Sequence, residues 1–168
     1  MKHAAENHVT DYAVLSSPVG NLLIGGDGRD VTLIGFSQGI RAITPRSDWR
    51  HNDSLYVEAR SQLTGYFAGL RRTFNFPMMM IGTDFQKAVW VELLRVPWGK
   101  TRAYRDLARD IGRPKSIRAF GAANGANPLP IVVPCHRLCS ADGSLNKYGG
   151  GLDAKRFLLN LELGRTGW

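Results

Sequence analysis

Residues 101–128 read TRAYRDLARDIGRPKSIRAFGAANGANP and carry two short helical patterns with a turn between them. The first pattern runs from Tyr104 to Ile111, and Gly112-Arg113-Pro114 ends it. The second runs from Ser116 to Asn124. Two short helices joined by a glycine-containing turn, with basic residues on both, are typical of a helix-turn-helix. The stretch therefore predicts this motif.

The second of these helices has almost no side-chain bulk. Its small residues are Ala119, Gly121, Ala122, Ala123 and Gly125. Small side chains permit a close approach to another surface, which is either a neighbouring helix or the groove of a nucleic acid. Helix packing is the commoner explanation, whereas Arg118 among the small residues favours the groove.

Positive charge is concentrated around the same stretch. The chain carries 22 Lys and Arg against 14 Asp and Glu, a formal net charge of +8. From Arg95 to Arg118, eight Lys or Arg stand against two Asp, so this segment alone has a net charge of +6. Clustered positive charge is the electrostatic footprint expected of a nucleic-acid binder, although a solvated arginine-rich helix face has the same composition.

Upstream of the helix-turn-helix, the chain divides near residue 82. Thr83-Asp84-Phe85-Gln86 has the spacing of a capping box, which predicts a helix that begins there and ends at Pro97-Trp98-Gly99. We therefore place one domain at residues 1–82 and a second at residues 83–168.

The first domain reads as a β-meander followed by a helix. Three short apolar runs, separated by turn-forming residues, predict strands at Tyr12–Leu15, Leu22–Gly25 and Val31–Phe36. The pattern then predicts a helix over Asp53–Phe67 and a returning strand over Phe74–Ile81.

Length and composition exclude several classes of protein. A chain of 168 residues with 43% hydrophobic and 21% charged residues is ordinary for a globular protein with a sizeable core. No apolar run is long enough to cross a membrane, and the first residues lack the apolar core of a secretory signal. Two cysteines cannot form a disulfide framework, so we expect a cytoplasmic location.

Both cysteines lie in residues 131–139, IVVPCHRLC. Cys135 is open to four interpretations: an inert buried thiol, a metal ligand with His136 and Cys139, the nucleophile of a thiol hydrolase, or a single-use alkyl acceptor. The metal site is the weakest of these, because a fourth ligand is missing. Neighbours in an extended strand point to opposite faces, so thiol and imidazole can cooperate only if the chain turns at Pro134 or a water connects them.

A downstream helix supplies a candidate partner for the imidazole. Residues 152–164, LDAKRFLLNLELG, predict a helix with Asp153 as its N-cap. Glu162 falls in the last turn, where the helix dipole disfavours an anion. A carboxylate in this unfavourable place suggests a functional role, which would be to orient His136. The simpler interpretation is an exposed surface glutamate.

Three motifs together resemble one protein family. NPLPIVVPCHR at 127–137, YGGG at 148–151 and LLNLE at 158–162 closely resemble the O6-alkylguanine-DNA alkyltransferases, also called methylated-DNA–protein-cysteine methyltransferases. The resemblance covers at least residues 83–162. It implies an α+β fold, in which an N-terminal α/β domain has a small antiparallel sheet. The C-terminal domain would be mainly helical and winged-helix-like, with a helix-turn-helix.

The resemblance also implies roles for residues around the cysteine. Cys135 would be the alkyl acceptor, His136 the base that removes its proton through a water, and Glu162 the residue that orients the imidazole. Asn127 would brace the turn that carries the cysteine, and Tyr104 would donate a hydrogen bond to the guanine ring.

On the DNA side, Arg118 would fill the duplex after the target nucleotide has flipped out, with the helix from Ser116 lying in the minor groove. The further DNA contacts that we expect are Lys115, Ser116, Ala119, Gly121 and Lys147. The pocket for the flipped base is expected to be formed by Val133, Leu138, Tyr148, Gly149 and Gly150, the first two through their carbonyl groups.

The function implied is that of a DNA repair protein that moves the alkyl group of O6-alkylguanine, and of O4-alkylthymine, to its own cysteine once per molecule. Double-stranded DNA is the expected partner, the chain is expected to act as a monomer away from membranes, and neither a metal nor an organic cofactor is implied. Cys139-Ser140 and Asn146-Lys147 depart from the usual residues on the pocket side and bear on the range of alkyl groups. The alternatives are a thiol hydrolase and an alkyltransferase-like protein that binds alkylated bases without repair. Cys135 argues against the latter.

Overall fold

The computed structural model describes residues 4–165. Residues 1–3 of the first predicted domain and residues 166–168 of the second lie outside the described residues. The strands are β1 (Asp11–Leu15), β2 (Leu22–Gly26), β3 (Val31–Phe36), β4 (Arg50–His51), β5 (Arg102–Ala103) and β6 (Leu138–Cys139). The helices are α1 (Val57–Phe67), α2 (Asp84–Leu94), α3 (Tyr104–Asp110), α4 (Ile117–Gly125) and α5 (Leu152–Glu162), with short 3₁₀ helices at Ala4–His8 and Cys135–Arg137. The fold is α+β, as predicted.

The N-terminal sheet contains the predicted meander and one further strand. β1, β2 and β3 pair in antiparallel fashion, with Ala13 opposite Ile24 and Ile24 opposite Ile34. β4 adds to β1 in parallel, so the sheet, in the order β3-β2-β1-β4, is mixed rather than purely antiparallel. Because β4 has only two residues, it shows no alternating pattern in the sequence. An ion pair supports it, with Arg50 Nε 3.0 Å from Asp11 Oδ1.

The prediction of a returning strand at Phe74–Ile81 is wrong. Over these residues the structure has one isolated bridge, between Met78 and Val31 of β3. Val31 N donates to Pro77 O at 3.0 Å, and Met79 N donates to Val31 O at 2.9 Å. Pro77 has no N–H group and therefore interrupts the ladder that a strand would need.

α1 begins at Val57, four residues after the predicted start at Asp53. Tyr56 has a φ of 53°, in the left-handed region, and this conformation separates the preceding turn from the helix. In that turn, Asn52 Oδ1 accepts a hydrogen bond from Ser54 N at 3.0 Å. A side-chain turn of this kind competes with helix formation, and it delays the helix.

The helical half follows the sequence prediction closely. At the start of α2, Thr83 Oγ1 accepts from Gln86 N at 3.3 Å, and Gln86 Oε1 accepts from Thr83 N at 2.9 Å, so the capping box is confirmed. α3 and α4 form the predicted pair of helices. Trp90 Nε1 of α2 donates to Ala123 O of α4 at 2.9 Å inside the protein. A single hydrophobic core includes residues from both halves of the chain, among them Tyr66.

α5 begins at Leu152, and its N-cap is Gly151 rather than the predicted Asp153. Gly151 has a φ of 91°, which a residue without a Cβ adopts easily, so the chain enters the helix before Asp153. Asp153 instead lies in the first turn, with Oδ1 2.9 Å from Arg156 Nη1. Glu162 is the last residue of the helix, as its predicted place in the last turn requires.

Candidate active site

The chain turns where cooperation between Cys135 and His136 requires it. Directly after Pro134, residues 135–137 form a 3₁₀ turn instead of continuing as a strand. Arg137 N donates to Pro134 O at 3.0 Å across this turn. The strand geometry that would place thiol and imidazole on opposite faces is therefore not present.

Asn127 ties together the segment that leads into this turn. Its Nδ2 donates to Val133 O at 2.9 Å, and its Oδ1 accepts from Leu129 N at 3.0 Å. The side chain is buried, and the Asn127 amide lowers the pKa of the Cys135 thiol, which favours the thiolate. Asn127 thus connects two backbone positions of the segment that leads to the cysteine.

Glu162 and His136 meet inside the protein, with Nε2 2.7 Å from Oε1 and neither side chain exposed. Arg137 adds a bidentate ion pair, in which Nε lies 2.8 Å from Oε2 and Nη2 lies 2.9 Å from Oε1. Gly99 N donates to Oε2 at 3.1 Å, and the Tyr66 hydroxyl donates to Oε1 at 2.9 Å. The carboxylate is therefore fixed in place by donors from several parts of the chain.

These contacts set the charge state of the pair. Burial alone would raise the pKa of Glu162, but hydrogen bonds from His136 and Arg137 outweigh it and lower the pKa to about 2. An ionised carboxylate only accepts hydrogen bonds, so the proton of the imidazole is on Nε2. Burial lowers the pKa of His136 despite the nearby carboxylate. The ring is therefore neutral, and its Nδ1 has no hydrogen-bond partner among residues 4–165. Such an imidazole can act as a general base.

The thiol of Cys135 needs such a base. Burial raises the pKa of the Cys135 thiol, and the Asn127 amide and the Lys155 ammonium offset only part of this rise. The resting group is therefore the neutral thiol, whereas the thiolate is the nucleophile.

A cavity of about 50 Å³ opens at Cys135, and we call it the acceptor cavity. Lys147, Tyr148 and Gly149 line it from the expected pocket loop. Phe36, Arg41 and Ile43 line it from the N-terminal half of the chain. A cavity of roughly 150 Å³ is the size that holds a benzene ring. The acceptor cavity by itself is smaller than this.

A larger groove of about 510 Å³, which we call the outer groove, adjoins the acceptor cavity. It is lined by Tyr104 of α3 and by Gly121 and Asn124 of α4, and it shares Arg41 and Tyr148 with the acceptor cavity. The two spaces together connect the helix-turn-helix with Cys135.

Arg41 lies where the outer groove and the acceptor cavity meet. Its backbone N donates to Gly149 O at 2.9 Å, and its guanidinium donates to Gly125 O at the end of α4. The loop that carries Arg41 is therefore attached both to the pocket loop and to the second helix of the helix-turn-helix.

Tyr104 is in a position to act as a hydrogen-bond donor in the outer groove. Burial, with smaller contributions from Cys135 and Cys139, raises the pKa of Tyr104 to about 12, so that the phenol keeps its proton at neutral pH. Its hydroxyl lies 3.5 Å from Asn124 Nδ2.

Lys147 lies in the pocket loop, whereas all the other residues expected to contact DNA lie at or near the first half of α4. Lys115, Arg118 and Ala119 are exposed there, and Ser116 is the half-buried N-cap residue. Gly121 faces Tyr104, since a Cβ at this position would lie 3.9 Å from the tyrosine ring. Of these residues, Gly121 lines the outer groove, whereas Ala119 lines a separate groove beside Ala122 and Ala123.

Three expected pocket residues do not line the acceptor cavity. Val133 O already accepts two hydrogen bonds, from the Asn127 side chain and from a backbone amide. Leu138 O accepts from the buried Lys155 ammonium. Gly150 packs against the N-terminal sheet, where a Cβ would lie 2.9 Å from an aromatic ring of β3. In this structure, the two carbonyls are used within the protein.

Four residues of the site were not predicted from the sequence: Arg137, Lys155, Tyr66 and Arg41. Arg137 could have been predicted as a site residue, because it directly follows His136 in the motif. Lys155 could also have been predicted, because it precedes Glu162 by two helical turns and therefore lies on the same buried face of the helix. Tyr66 and Arg41 come from the N-terminal half, and no local pattern connects them to the cysteine.

Metal ligation receives no support from the arrangement of side chains. Both cysteines are free and buried. Over residues 4–165, no group of three or more His, Cys, Asp or Glu side chains is placed to hold a metal ion. In the same part of the chain, the structure contains no helix with the length and apolar character needed to span a membrane.

Comparison with known proteins gives consistent matches over nearly the whole chain. The family model described as 6-O-methylguanine DNA methyltransferase, DNA binding domain, matches residues 84–164, and the model for the ribonuclease-like domain of the same methyltransferase matches residues 11–80. A Methanosarcina acetivorans protein named methylated-DNA–protein-cysteine methyltransferase is 44% identical over 151 residues, which cover 90% of this chain and 97% of the relative.

Solved structures agree with these matches. The crystal structure of the Mycobacterium tuberculosis O6-methylguanine methyltransferase has a TM-score of 0.84 and 41% identity to this chain, and the match covers 94% of each chain. The Mycobacterium tuberculosis OGT in complex with DNA has a TM-score of 0.85 at 42% identity, with 93% of this chain and 94% of that chain covered.

Proposed function

Because this chain belongs to the 6-O-methylguanine DNA methyltransferase family, we propose that it transfers the alkyl group of O6-alkylguanine in DNA to its own Cys135. O4-alkylthymine is the second substrate that we propose. The observation that carries the proposal is the buried set of Cys135, His136 and Glu162, placed at a cavity that connects with the helix-turn-helix.

In the proposed step, the sulfur of Cys135 attacks the alkyl carbon that is bonded to O6. The thiol proton passes through a water to Nδ1 of His136, whose Nε2–H donates to Glu162. An S–C bond forms while the C–O6 bond breaks, and the electron pair of the broken bond stays on the guanine. Tyr104 keeps its own proton and donates a hydrogen bond to the purine ring, which stabilises the leaving group.

The proton held by His136 then neutralises the guanine, so that the net products are repaired guanine and an alkylated cysteine. A thioether is a stable bond, and none of the site residues has a role in breaking it. Each protein molecule is therefore proposed to react once.

Access to the base requires extrusion, because O6 of a paired guanine lies inside the stacked duplex. We assign Arg118, exposed near the start of α4, to the space that the flipped nucleotide leaves, with α4 in the minor groove. Ala119 and Gly121 allow the helix to approach closely. In this proposal Lys115 and Ser116 contact the phosphate backbone, which adds affinity without sequence preference.

The test is to mix the protein with duplex DNA that contains one O6-methylguanine and then to weigh the intact protein. We expect the mass gain of one methyl group in place of the thiol proton, located on Cys135, and one repaired base per protein. Cys135→Ala should bind the DNA without any gain in mass, whereas Cys139→Ala, the matched control, should react like the unmodified protein. Repeated turnover would instead support a thiol hydrolase, and a methyl group on Cys139 would contradict the assignment of the acceptor.

A further inference from the structure

Tyr66 belongs to α1 in the N-terminal half, yet its hydroxyl lies within the site around Cys135. The side chain is completely buried. Its oxygen is 2.9 Å from Glu162 Oε1 and 3.4 Å from His136 Nε2. The carboxylate oxygen that holds the imidazole therefore also holds the phenol.

The direction of the hydrogen bond follows from the charges. Burial, followed by the negative charge of Glu162, raises the pKa of Tyr66 far above its usual range, so the phenol keeps its proton. Nε2 of His136 also carries a proton and cannot accept one. Tyr66 therefore donates to Glu162, and Oε1 accepts from the phenol, from Nε2 of His136 and from Nη2 of Arg137.

Aromatic neighbours hold the tyrosine ring in this orientation. The ring centroid of Trp98 lies 5.3 Å away at an interplanar angle of 74°. Phe67 lies 5.5 Å away at 83°, and Phe74 lies 5.7 Å away. Edge-to-face packing on several sides keeps the ring from turning, so the hydroxyl has a fixed position relative to the carboxylate.

We propose that Tyr66 is a positioning residue for alkyl transfer, which acts by fixing the Glu162 carboxylate and by sharing the negative charge of the oxygen that holds His136. This inference rests on the proposed function, because it concerns the same proton transfer from Cys135. Without the hydroxyl, the charge of Glu162 would act more strongly on the imidazole. His136 would then hold a proton more tightly, and a smaller fraction of it would be available as a base at a given pH.

The titratable groups that face His136 come from several elements: Glu162 and Lys155 of α5, the adjacent Cys135 and Arg137, Tyr148 of the pocket loop, and Tyr66 of α1. Tyr66→Phe removes one hydroxyl group and leaves all the other groups in place. A change in the pH dependence of the reaction can therefore be assigned to this hydroxyl.

Tyr56 provides a matched control in the same half of the chain. It is also buried, and its hydroxyl accepts from Gly28 N at 2.9 Å and donates to Asp11 O at 3.3 Å, within the N-terminal sheet region. Tyr56→Phe therefore makes the same chemical change away from the acceptor cavity. The thermal unfolding of both variants shows whether each is folded.

The experiment measures the rate of benzyl transfer from free O6-benzylguanine to Cys135 as a function of pH, because this substrate needs no base flipping. We expect Tyr66→Phe to react roughly tenfold more slowly, an effect of the size expected for the loss of one hydrogen bond to a charged group. We also expect the acid side of its pH profile to move to higher pH. Tyr56→Phe should change neither quantity.

Equal rates and pH profiles for the two variants would overturn the inference. So would a slower reaction with an unmoved pH profile, since that result describes a purely structural role. A double-mutant cycle gives a second test: in a Glu162→Gln background, Tyr66→Phe should cost little further rate, and an undiminished cost would contradict the coupling. Failure of the proposed function is distinguishable, because the unmodified protein would then gain no alkyl group at all.

Discussion

Replacing Glu162 by glutamine should destabilise the protein by an amount that depends on pH. Glu162 is 5% exposed, and its pKa is lowered from 4.5 to about 2. A carboxyl group with a lowered pKa in the folded state contributes stability that is fully present above its unfolded pKa and is lost as the pH falls through the folded value. The contribution of Glu162 is therefore about 3 kcal/mol at pH 7 and about 1 kcal/mol at pH 3.

The ion pair with Arg137 contributes to this lowered pKa, and the cost of breaking such a pair gives a second figure for the same change. Removing one partner of a buried pair typically costs about 3–5 kcal/mol, because the other charge stays buried without compensation. In Glu162→Gln, the Arg137 guanidinium would retain the hydrogen bond to Val96 O at 2.6 Å but would lose both carboxylate contacts. The two figures agree on a loss of about 3 kcal/mol at pH 7.

Urea unfolding, followed by tryptophan fluorescence between pH 7 and pH 3, measures this loss. Asp153→Asn is the control, because Asp153 is a fully exposed carboxylate on the same helix, and its replacement should change the free energy of unfolding by less than about 0.5 kcal/mol. The difference between Glu162→Gln and the unmodified protein should shrink as the pH falls. A difference below about 1 kcal/mol at pH 7, or one that does not vary with pH, would refute the reasoning.

Three further predictions concern DNA and the pocket. Arg118→Ala should slow repair of duplex DNA far more than the reaction with free O6-benzylguanine, because only the duplex requires base extrusion. If both reaction rates fall equally, Arg118 does not take part in base extrusion. Arg41→Ala should widen the acceptor cavity and raise the ratio of benzyl to methyl transfer rates, whereas exposed Arg29→Ala should not. An unmoved ratio in both would show that Arg41 does not limit the cavity. Lys147→Gly should reduce the slope of log K against log salt by about one unit, as the loss of one phosphate contact requires, and should speed benzyl relative to methyl transfer. If neither measurement changes, Lys147 is directed into solvent.

The parts of the fold that carry a local signature could be predicted from the sequence. The capping box at Thr83 and Gln86 marks the start of α2, and the apolar run of Val31–Phe36 is β3 residue for residue. β4 could not be predicted, because two residues have no period and their pairing consists of backbone hydrogen bonds to β1, which is distant in the sequence. The start of α1 was missed because it depends on the left-handed backbone of Tyr56.

The site residues also differ in whether a local sequence pattern identifies them. Cys135 and His136 adjoin in one motif, and Asn127 begins it, so the motif alone was enough to single them out. Tyr66 could not be found from the sequence, because it lies 96 residues before its partner Glu162 and reaches it only through the packing of α1 on the C-terminal half. Arg41 escaped prediction for the same reason, since it faces the acceptor cavity from a loop of the other half.

The residues that donate hydrogen bonds to Glu162 are synthesised at different times during translation. Tyr66 precedes Glu162 by 96 residues, and Gly99 precedes it by 63. A nascent chain on the ribosome therefore displays Cys135 and His136 before the carboxylate that completes the base has been synthesised. The hydrogen-bonded base that the proposed reaction needs is therefore complete only when α5 has emerged and docked.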